Sequence, residues 1–246
     1  MKYIIVIEYN GTNYSGWQCQ KNAPSVQAVL QEKLSILFAE KITIFGSGRT
    51  DSGVHALGQV AHFSAEKSYL PSKVQHAVNS MLPKDIRIVS ATEAPEDFHA
   101  QYSAKRKTYL YKAYVSRTSS PIKEGFYAQI PSPVDIELMK KCAAELVGEH
   151  DFIAFSSTGS GINKTIRTLY RLDITTTGNE IFFEVEGNGF LYNMVRIIVG
   201  TLIFIGLGRI APTAISEMLT TGNRKLGGKT YSACGLYLKS VEYPQN

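Results

Sequence analysis

Residues 46–56, Gly46-Ser47-Gly48-Arg49-Thr50-Asp51-Ser52-Gly53-Val54-His55-Ala56, restrict what this chain can become more than any other stretch. They lie between two apolar runs with strand character, Ile42–Phe45 and Gln59–Phe63. Gly46, Gly48 and Gly53 permit backbone angles that residues carrying a Cβ resist. The chain can therefore turn sharply between two strands and hold Asp51 up toward a ligand.

The surrounding elements set the architecture. Lys2–Tyr9 reads as a strand. Pro24-Ser25 opens a helix with Ser25 as N-cap, and Val26, Val29, Leu30, Leu34, Leu37 and Phe38 form its apolar stripe. A second helix starts at Pro71-Ser72, with Val74, Ala77, Val78 and Met81 on one face, and Ile86–Ala91 returns as a strand. The first hundred residues thus follow β-α-β-loop-β-α-β. The rest repeats that grammar. Lys107–Val115 alternates as a strand, Ser116–Val134 is a Ser- and Pro-rich excursion, and Asp135–Val147 is helical. Leu169–Thr176 and Ile181–Glu186 flank a hairpin turn at Thr177-Gly178-Asn179. Tyr192–Leu207 and Pro212–Leu219 read as helices and Leu236–Tyr243 as a closing strand. The expected fold is α+β, in two similar halves, 1–104 and 105–246, each a mostly antiparallel sheet with two helices. A cleft between the halves is the expected place for a site.

Composition narrows the function. The 246 residues are 44% hydrophobic and 19% charged, an ordinary globular balance. The net charge is +5, from 26 Lys+Arg against 21 Asp+Glu. That excess fits simple solubility or nucleic-acid binding, and 14 tyrosines, several beside basic residues, favour a surface that meets bases and phosphates. Cys19, Cys142 and Cys234 are odd in number and far apart, so neither a disulfide framework nor a Cys-rich zinc site is expected. The N-terminal apolar run is too short for a signal peptide and ends in Glu8. The greasiest segment, Ile197–Leu207, is shorter than the roughly 20 residues that span a bilayer. A cytoplasmic protein with no membrane association is expected.

Three segments carry candidate chemistry. In the first, Arg49 stands two residues before Asp51; if both point the same way, the cation favours the ionised carboxylate, which suits a nucleophile or base. The competing reading is an Asx-turn or a capping Asp in a glycine-rich loop. Gly46-x-Gly48 lacks the third glycine of a dinucleotide fingerprint, no Gly-Lys-Ser/Thr follows, and no His-Glu-x-x-His occurs, so neither a phosphate loop nor a metal site is expected. A glycosidase needs a second cooperating carboxylate, whereas Glu96 and Asp97 read as solvated turn residues. In the second segment, Lys105-Arg106-Lys107-Thr108-Tyr109-Leu110-Tyr111-Lys112-Ala113-Tyr114 interleaves cations and aromatics on a strand. Alternation groups Tyr109, Tyr111 and Ala113 on one face. Lys105, Arg106 and Lys107 can meet phosphates while a tyrosine faces a base, or the tyrosines can simply be core. The third, Gly187–Arg196, enters an apolar helix on which Arg196 is the lone cation. A guanidinium there is costly unless it finds a carboxylate, for which Asp51 is a candidate, or it snorkels to solvent.

Taken in order, Gly48–Ala56, Phe98-His99-Ala100, Tyr109-x-Tyr111, Asn193-Met194-Val195-Arg196 and Gly235-Leu236-Tyr237-Leu238 resemble the TruA family of tRNA pseudouridine synthases, over nearly the whole chain. Ser52 stands where the family often has alanine, and Tyr192-Asn193 where relatives often carry histidines. The resemblance implies the ferredoxin-like pseudouridine synthase fold and conversion of uridine to pseudouridine at positions 38, 39 and 40 of the tRNA anticodon stem-loop. It implies that Asp51 is the catalytic carboxylate and that Arg49 holds the target nucleotide out of the stack. Tyr109 then packs on the uracil, Arg196 pairs with the carboxylate, and Leu236 lines the uracil pocket. It implies tRNA as partner, a homodimer, and no cofactor or metal. Two other functions suit part of the pattern. A non-catalytic RNA-binding protein on the same scaffold would not require Asp51. A nucleoside or glycosidic hydrolase lacks its second carboxylate.

Overall fold

The computed structural model describes residues 1–157 and 164–244. The chain forms two compact units, residues 1–105 with 237–246, and residues 106–236.

The first unit runs β1 (Lys2–Tyr9), α1 (Val26–Phe38), β2 (Phe45–Gly46), β3 (His55–Ser64), α2 (Pro71–Met81) and β4 (Ile86–Glu93). β1 is the central ribbon, antiparallel to β3 on one side and to β4 on the other. Its alternation buries Tyr3, Ile5, Ile7 and Tyr9. Tyr3 stacks on Phe63 at 5.0 Å and tilts against Phe38 at 5.7 Å. From α1, Val26, Leu30, Leu34 and Phe38 are wholly buried, each worth roughly 1.5–3 kcal/mol of apolar transfer. Val29 and Leu37 are only half-buried, so the stripe is narrower than its spacing suggests. Ser25 caps α1, its Oγ accepting from the Ala28 N–H at 3.3 Å. α2 begins with Pro71 in its first turn, where a missing N–H costs nothing.

The strand expected over Ile42–Phe45 is reduced to Phe45 and Gly46. The reason lies in α1. Ser35 Oγ accepts the Ile42 N–H at 2.9 Å, Gln31 Oε1 accepts the Ile44 N–H at 3.0 Å, and Gln27 Nε2 donates to the Ile44 carbonyl at 2.8 Å. Helix side chains take backbone groups that a ladder would otherwise use.

The second unit runs β5 (Arg106–Val115), β6 (Ala128–Ile130), α3 (Ile136–Ala144), β7 (Gly148–Asp151), β8 (Ile166–Thr177), β9 (Glu180–Gly187), α4 (Met194–Gly206) and α5 (Ala214–Thr221). β5, β9, β8 and β7 form an antiparallel meander. Gly178, with φ +58°, turns β8 into β9. β6 lies inside the expected excursion and pairs in parallel with β5, Ala113 opposite Ala128. α3 is shorter than expected: Asp135 caps it by accepting the Leu138 N–H at 2.9 Å, and it ends at Ala144. α4 is buried almost all round, and at Gly200 a Cβ would stand 2.0 Å from the Lys229 carbonyl oxygen, so only glycine allows that approach.

The last strand, β10 (Leu236–Glu242), returns to the first unit, where Tyr237 and Leu238 pair in parallel with His55 and Ala56 of β3. Each unit is therefore an α+β assembly on a mostly antiparallel sheet. Among the described residues, no helix is long and apolar enough to cross a membrane.

Candidate active site

The Asp51 loop hangs between β2 and β3, and both flanks fix it. Ser47 donates its N–H to the Val60 carbonyl at 2.7 Å and its hydroxyl to Gln59 Oε1 at 2.7 Å. Gln59 Nε2 in turn donates to the Gly48 carbonyl at 2.9 Å. Ser47 and Gln59 are wholly buried, so these bonds form away from competing water.

The segment after β1 grips the other side. The Tyr9 hydroxyl and Thr50 Oγ1 share a hydrogen bond of 2.7 Å. The Trp17 N–H donates to the Thr50 carbonyl at 3.0 Å, and the Gly53 N–H to the Tyr14 carbonyl at 3.3 Å. The Gly11 N–H donates to His55 Nδ1 at 3.0 Å. Close approach demands glycine at three places. A Cβ on Gly11 would meet the Val54 carbonyl oxygen at 2.0 Å, one on Gly16 the Thr50 carbonyl oxygen at 2.5 Å, and one on Gly46 the Trp17 indole at 2.6 Å. Gly16 also has φ +95°. The gripping segment is itself anchored: the Tyr14 hydroxyl donates to Asp85 Oδ1 at 2.7 Å.

This clamp sets what the loop presents. Thr50 turns its hydroxyl inward and is buried, while Arg49 is exposed and Asp51 half-buried. Within the turn the Val54 N–H donates to the Asp51 backbone carbonyl at 3.1 Å. Burial raises the Tyr9 hydroxyl well above its ordinary pKa, against the smaller opposing pull of its bonds to Thr50 and Gln59. Tyr9 is thus a neutral clamp rather than an acid or base.

The remaining candidates are in the second unit, except Lys105. Tyr109 is buried on β5 with its ring edge-on to Phe190, 5.0 Å between centroids at 84°. Tyr111 is wholly buried and donates its hydroxyl to the Ser232 carbonyl at 2.7 Å, and Tyr114 is also buried, so these two are core tyrosines. Arg196 sits in the first turn of α4, half-buried. Its Nε donates to the Tyr231 carbonyl at 2.8 Å and its Nη1 to Asn193 Oδ1 at 2.6 Å. Asn193 holds φ +62° immediately before the helix, a conformation asparagine tolerates better than most residues. Leu236 is buried just after the turn Ala233–Gly235, where a Cβ on Gly235 would meet the Lys112 carbonyl oxygen at 2.6 Å.

The basic triplet is heterogeneous. Lys105 is exposed. Arg106 donates to Glu186 Oε1 at 2.7 Å and lies 4.4 Å over the Tyr170 ring. Lys107 is half-buried, and burial first, then the charge of Arg167, holds its ammonium below the ordinary lysine pKa. The residues that sequence reasoning passed over are Tyr9, Tyr14, Trp17 and Gln59. Their only signal was chemical type: Tyr9 and Gln59 are polar-tipped side chains on strands, and Tyr14 and Trp17 are large aromatics in an otherwise small, polar stretch.

Comparison with known proteins follows the same lines. A family model described as tRNA pseudouridine synthase matches residues 5–103 and 142–244. The tRNA pseudouridine synthase A of Thermoanaerobacter sp. (strain X514) is 46% identical over 240 residues, covering 98% of this chain and 98% of that protein. Its counterpart in Ruminiclostridium cellulolyticum is 45% identical over 243 residues, covering 98% of this chain and 99% of that one. Among solved structures, the archaeal box H/ACA sRNP Nop10–Cbf5 complex aligns with a TM-score of 0.41 and 12% identity, over 96% of this chain and 46% of that one.

Proposed function

This chain belongs to the tRNA pseudouridine synthase family, and from that premise we propose that it isomerises uridine to pseudouridine at positions 38, 39 and 40 of the tRNA anticodon stem-loop, with Asp51 as the reacting carboxylate. The observation that carries the reading is the clamp: a half-exposed acid on a loop whose neighbours are fixed from both sides. Catalytic groups need such pre-set geometry, since misplacement by about 1 Å can cost ~100-fold in rate.

Isomerisation breaks N1–C1′, turns the uracil and forms C5–C1′, with the C5 proton leaving to solvent and N1 ending protonated. No electrons are exchanged with another reagent. A single carboxylate suffices, by attack at C1′, by addition at C6, or by removal of the C2′ proton. The uridine must first leave its stack, at a cost of a few kcal/mol. Arg49, exposed beside Asp51, is proposed to hold the vacated position. Tyr109 is proposed to pack on the uracil and Leu236 to line its pocket. Arg196 is proposed to act on the Asp51 carboxylate. Its contacts to Tyr231 and Asn193 keep the guanidinium oriented. Lys105, Arg106 and Lys107 are proposed to meet the RNA backbone, which makes binding salt-dependent. The active species is proposed to be a homodimer in the cytoplasm, binding tRNA and needing no cofactor.

The test is tritium release from tRNA labelled at uridine C5, which must accompany C5–C1′ bond formation. Wild type should release tritium and leave no free uracil. Release by Asp51→Ala at the wild-type rate would remove Asp51 from the chemistry, and free uracil would identify a hydrolase instead.

A further inference from the structure

The first unit carries an aromatic array that the proposed chemistry does not use. Phe45 of β2 stacks on His62 of β3 at 5.2 Å and 21°. His62 meets His99 edge-on at 4.7 Å, and His99 meets Tyr102 at 4.3 Å and 30°. Phe45 also approaches His99 directly, at 5.8 Å. The two ends of the array face solvent: Phe45 is 49% exposed and Tyr102 78%.

The array is built rather than incidental. His62 is buried, and its Nδ1 accepts the Ala100 N–H at 3.1 Å. His99 Nδ1 accepts from the Gln101 and Tyr102 N–H groups at 3.2 and 3.4 Å, which curls the turn so that Tyr102 lies beside the imidazole. The Ser103 hydroxyl closes that turn by accepting the His99 N–H at 3.0 Å. Two large rings are thus held open to water beside two imidazoles whose Nδ1 atoms are tied to the backbone of the same turn. Rigid, pre-placed aromatics bind flat partners with little further ordering cost. The location is specific too. Phe45 is followed by Gly46, Ser47, Gly48 and Arg49, so the array lies within about 14 Å of backbone reach from the loop's arginine.

We propose that Phe45 and Tyr102 form a stacking platform for an unpaired base of the RNA strand that carries the target uridine. This rests on the RNA-modifying function argued above. Every base has a π-face, so the platform grips sequence-tolerantly, as an enzyme that accepts neighbouring positions in one stem-loop requires. Mixed Phe, His and Tyr rings with polar edges suit a nucleobase better than an aliphatic protein surface. Lys2, whose charge bears on His62, adds a cation beside the array.

The experiment uses an anticodon stem-loop RNA with 2-aminopurine at unpaired loop positions. Binding is followed by fluorescence with the full-length protein, in the Asp51→Ala background so that no turnover intervenes. Wild-type rings should quench at least one position. Tyr102→Ala, and Tyr102→Ala with Phe45→Ala, should lose that quench and, with Asp51 intact, raise KM about tenfold while kcat stays within about twofold. Tyr102→Phe should retain both wild-type values. Tyr102 is mostly exposed, so its removal leaves the core intact, and melting curves check this. Quench and KM unchanged in the double variant would overturn the platform. So would a loss of self-association in sedimentation at unchanged KM, which would make the patch a protein contact. Tritium release by wild type decides the broader function separately.

Discussion

The loop bearing Asp51 and the segment that enters α4 at Arg196 both follow a glycine-rich stretch and present one charged group, yet they are fixed differently. The Asp51 loop is held from far away in sequence by Tyr9, Tyr14 and Trp17, and from the adjoining β3 by Gln59. The Arg196 segment is held partly by what adjoins it, Asn193 at φ +62° and the first turn of α4, and partly by the Tyr231 backbone 35 residues on, whose carbonyl accepts from Arg196 Nε at 2.8 Å and whose N–H donates to the Arg196 carbonyl at 3.1 Å. A turn with three glycines has little intrinsic preference for one shape, so its rigidity must come from tertiary contacts. An arginine on a helix start inherits rigidity from the helix. Each can therefore be damaged differently: the first loop chiefly through its distant grips, the second through its own helix start as well as through Tyr231.

The strongest way to separate the two is chemical. Asp51→Ala should cut tritium release by at least about 1,000-fold, roughly 4 kcal/mol of barrier, with tRNA affinity held near wild type in a filter-binding titration. Affinity falling in parallel would make Asp51 a binding residue. The next effect tests action at a distance. Gly16→Ala forces a Cβ into the Thr50 carbonyl at a backbone angle that disfavours it. A stability loss of roughly 3 kcal/mol and a melting point lower by about 6–12 °C are expected in calorimetry, with activity falling too. A normal melting curve and normal rate would show that the loop does not depend on its neighbour.

A pH prediction follows for the floor beneath Phe45. His62 is pushed down to about 4, by burial first and then by the charges of His99 and Lys2, against the Phe45 carbonyl, which favours the charged form. The folded state then binds fewer protons than the unfolded state between about pH 6.5 and 4, so stability falls as pH drops through that window. The loss should be about 2 kcal/mol by pH 4 after solvent screening, and His62→Phe should flatten the dependence of melting temperature on pH. An identical slope in the variant would assign the effect to other groups.

How much of this was legible in the sequence depended on range. β1 was readable end to end, because Lys2–Tyr9 alternates cleanly. α1 was readable from Ser25 and its stripe. Arg196 at a helix start was readable from the change of composition after Asn193. Short β6 and β7 were not, because three or four residues carry too little periodicity. The strand over Ile42–Phe45 misled, because nothing in the run reveals that Gln27, Gln31 and Ser35 take its backbone bonds. The clamp was illegible for the same reason, since Tyr9 and Thr50 lie 41 residues apart.

Two smaller predictions sharpen the comparison. Tyr9→Phe removes one hydroxyl and leaves Thr50 Oγ1 short of a partner, which should cost about 1 kcal/mol in urea unfolding and lower kcat severalfold at constant KM. A raised KM instead would place Tyr9 in substrate binding. Asn193→Gly relieves the positive φ but loses the side chain's bonds to Arg196 and Ser157, so its net effect should stay within about 1 kcal/mol. A cost as large as that of Gly16→Ala would erase the distinction between the two loops.

Because β10 completes the sheet that begins at residue 2, the amino-terminal fold is left waiting while residues 106–236 emerge from the ribosome. At roughly 5–20 residues per second that interval is on the order of ten seconds. Until then the flank of β3 that receives Tyr237 stays open, and a nascent chain stalled short of it would display an unsealed edge to chaperones and proteases.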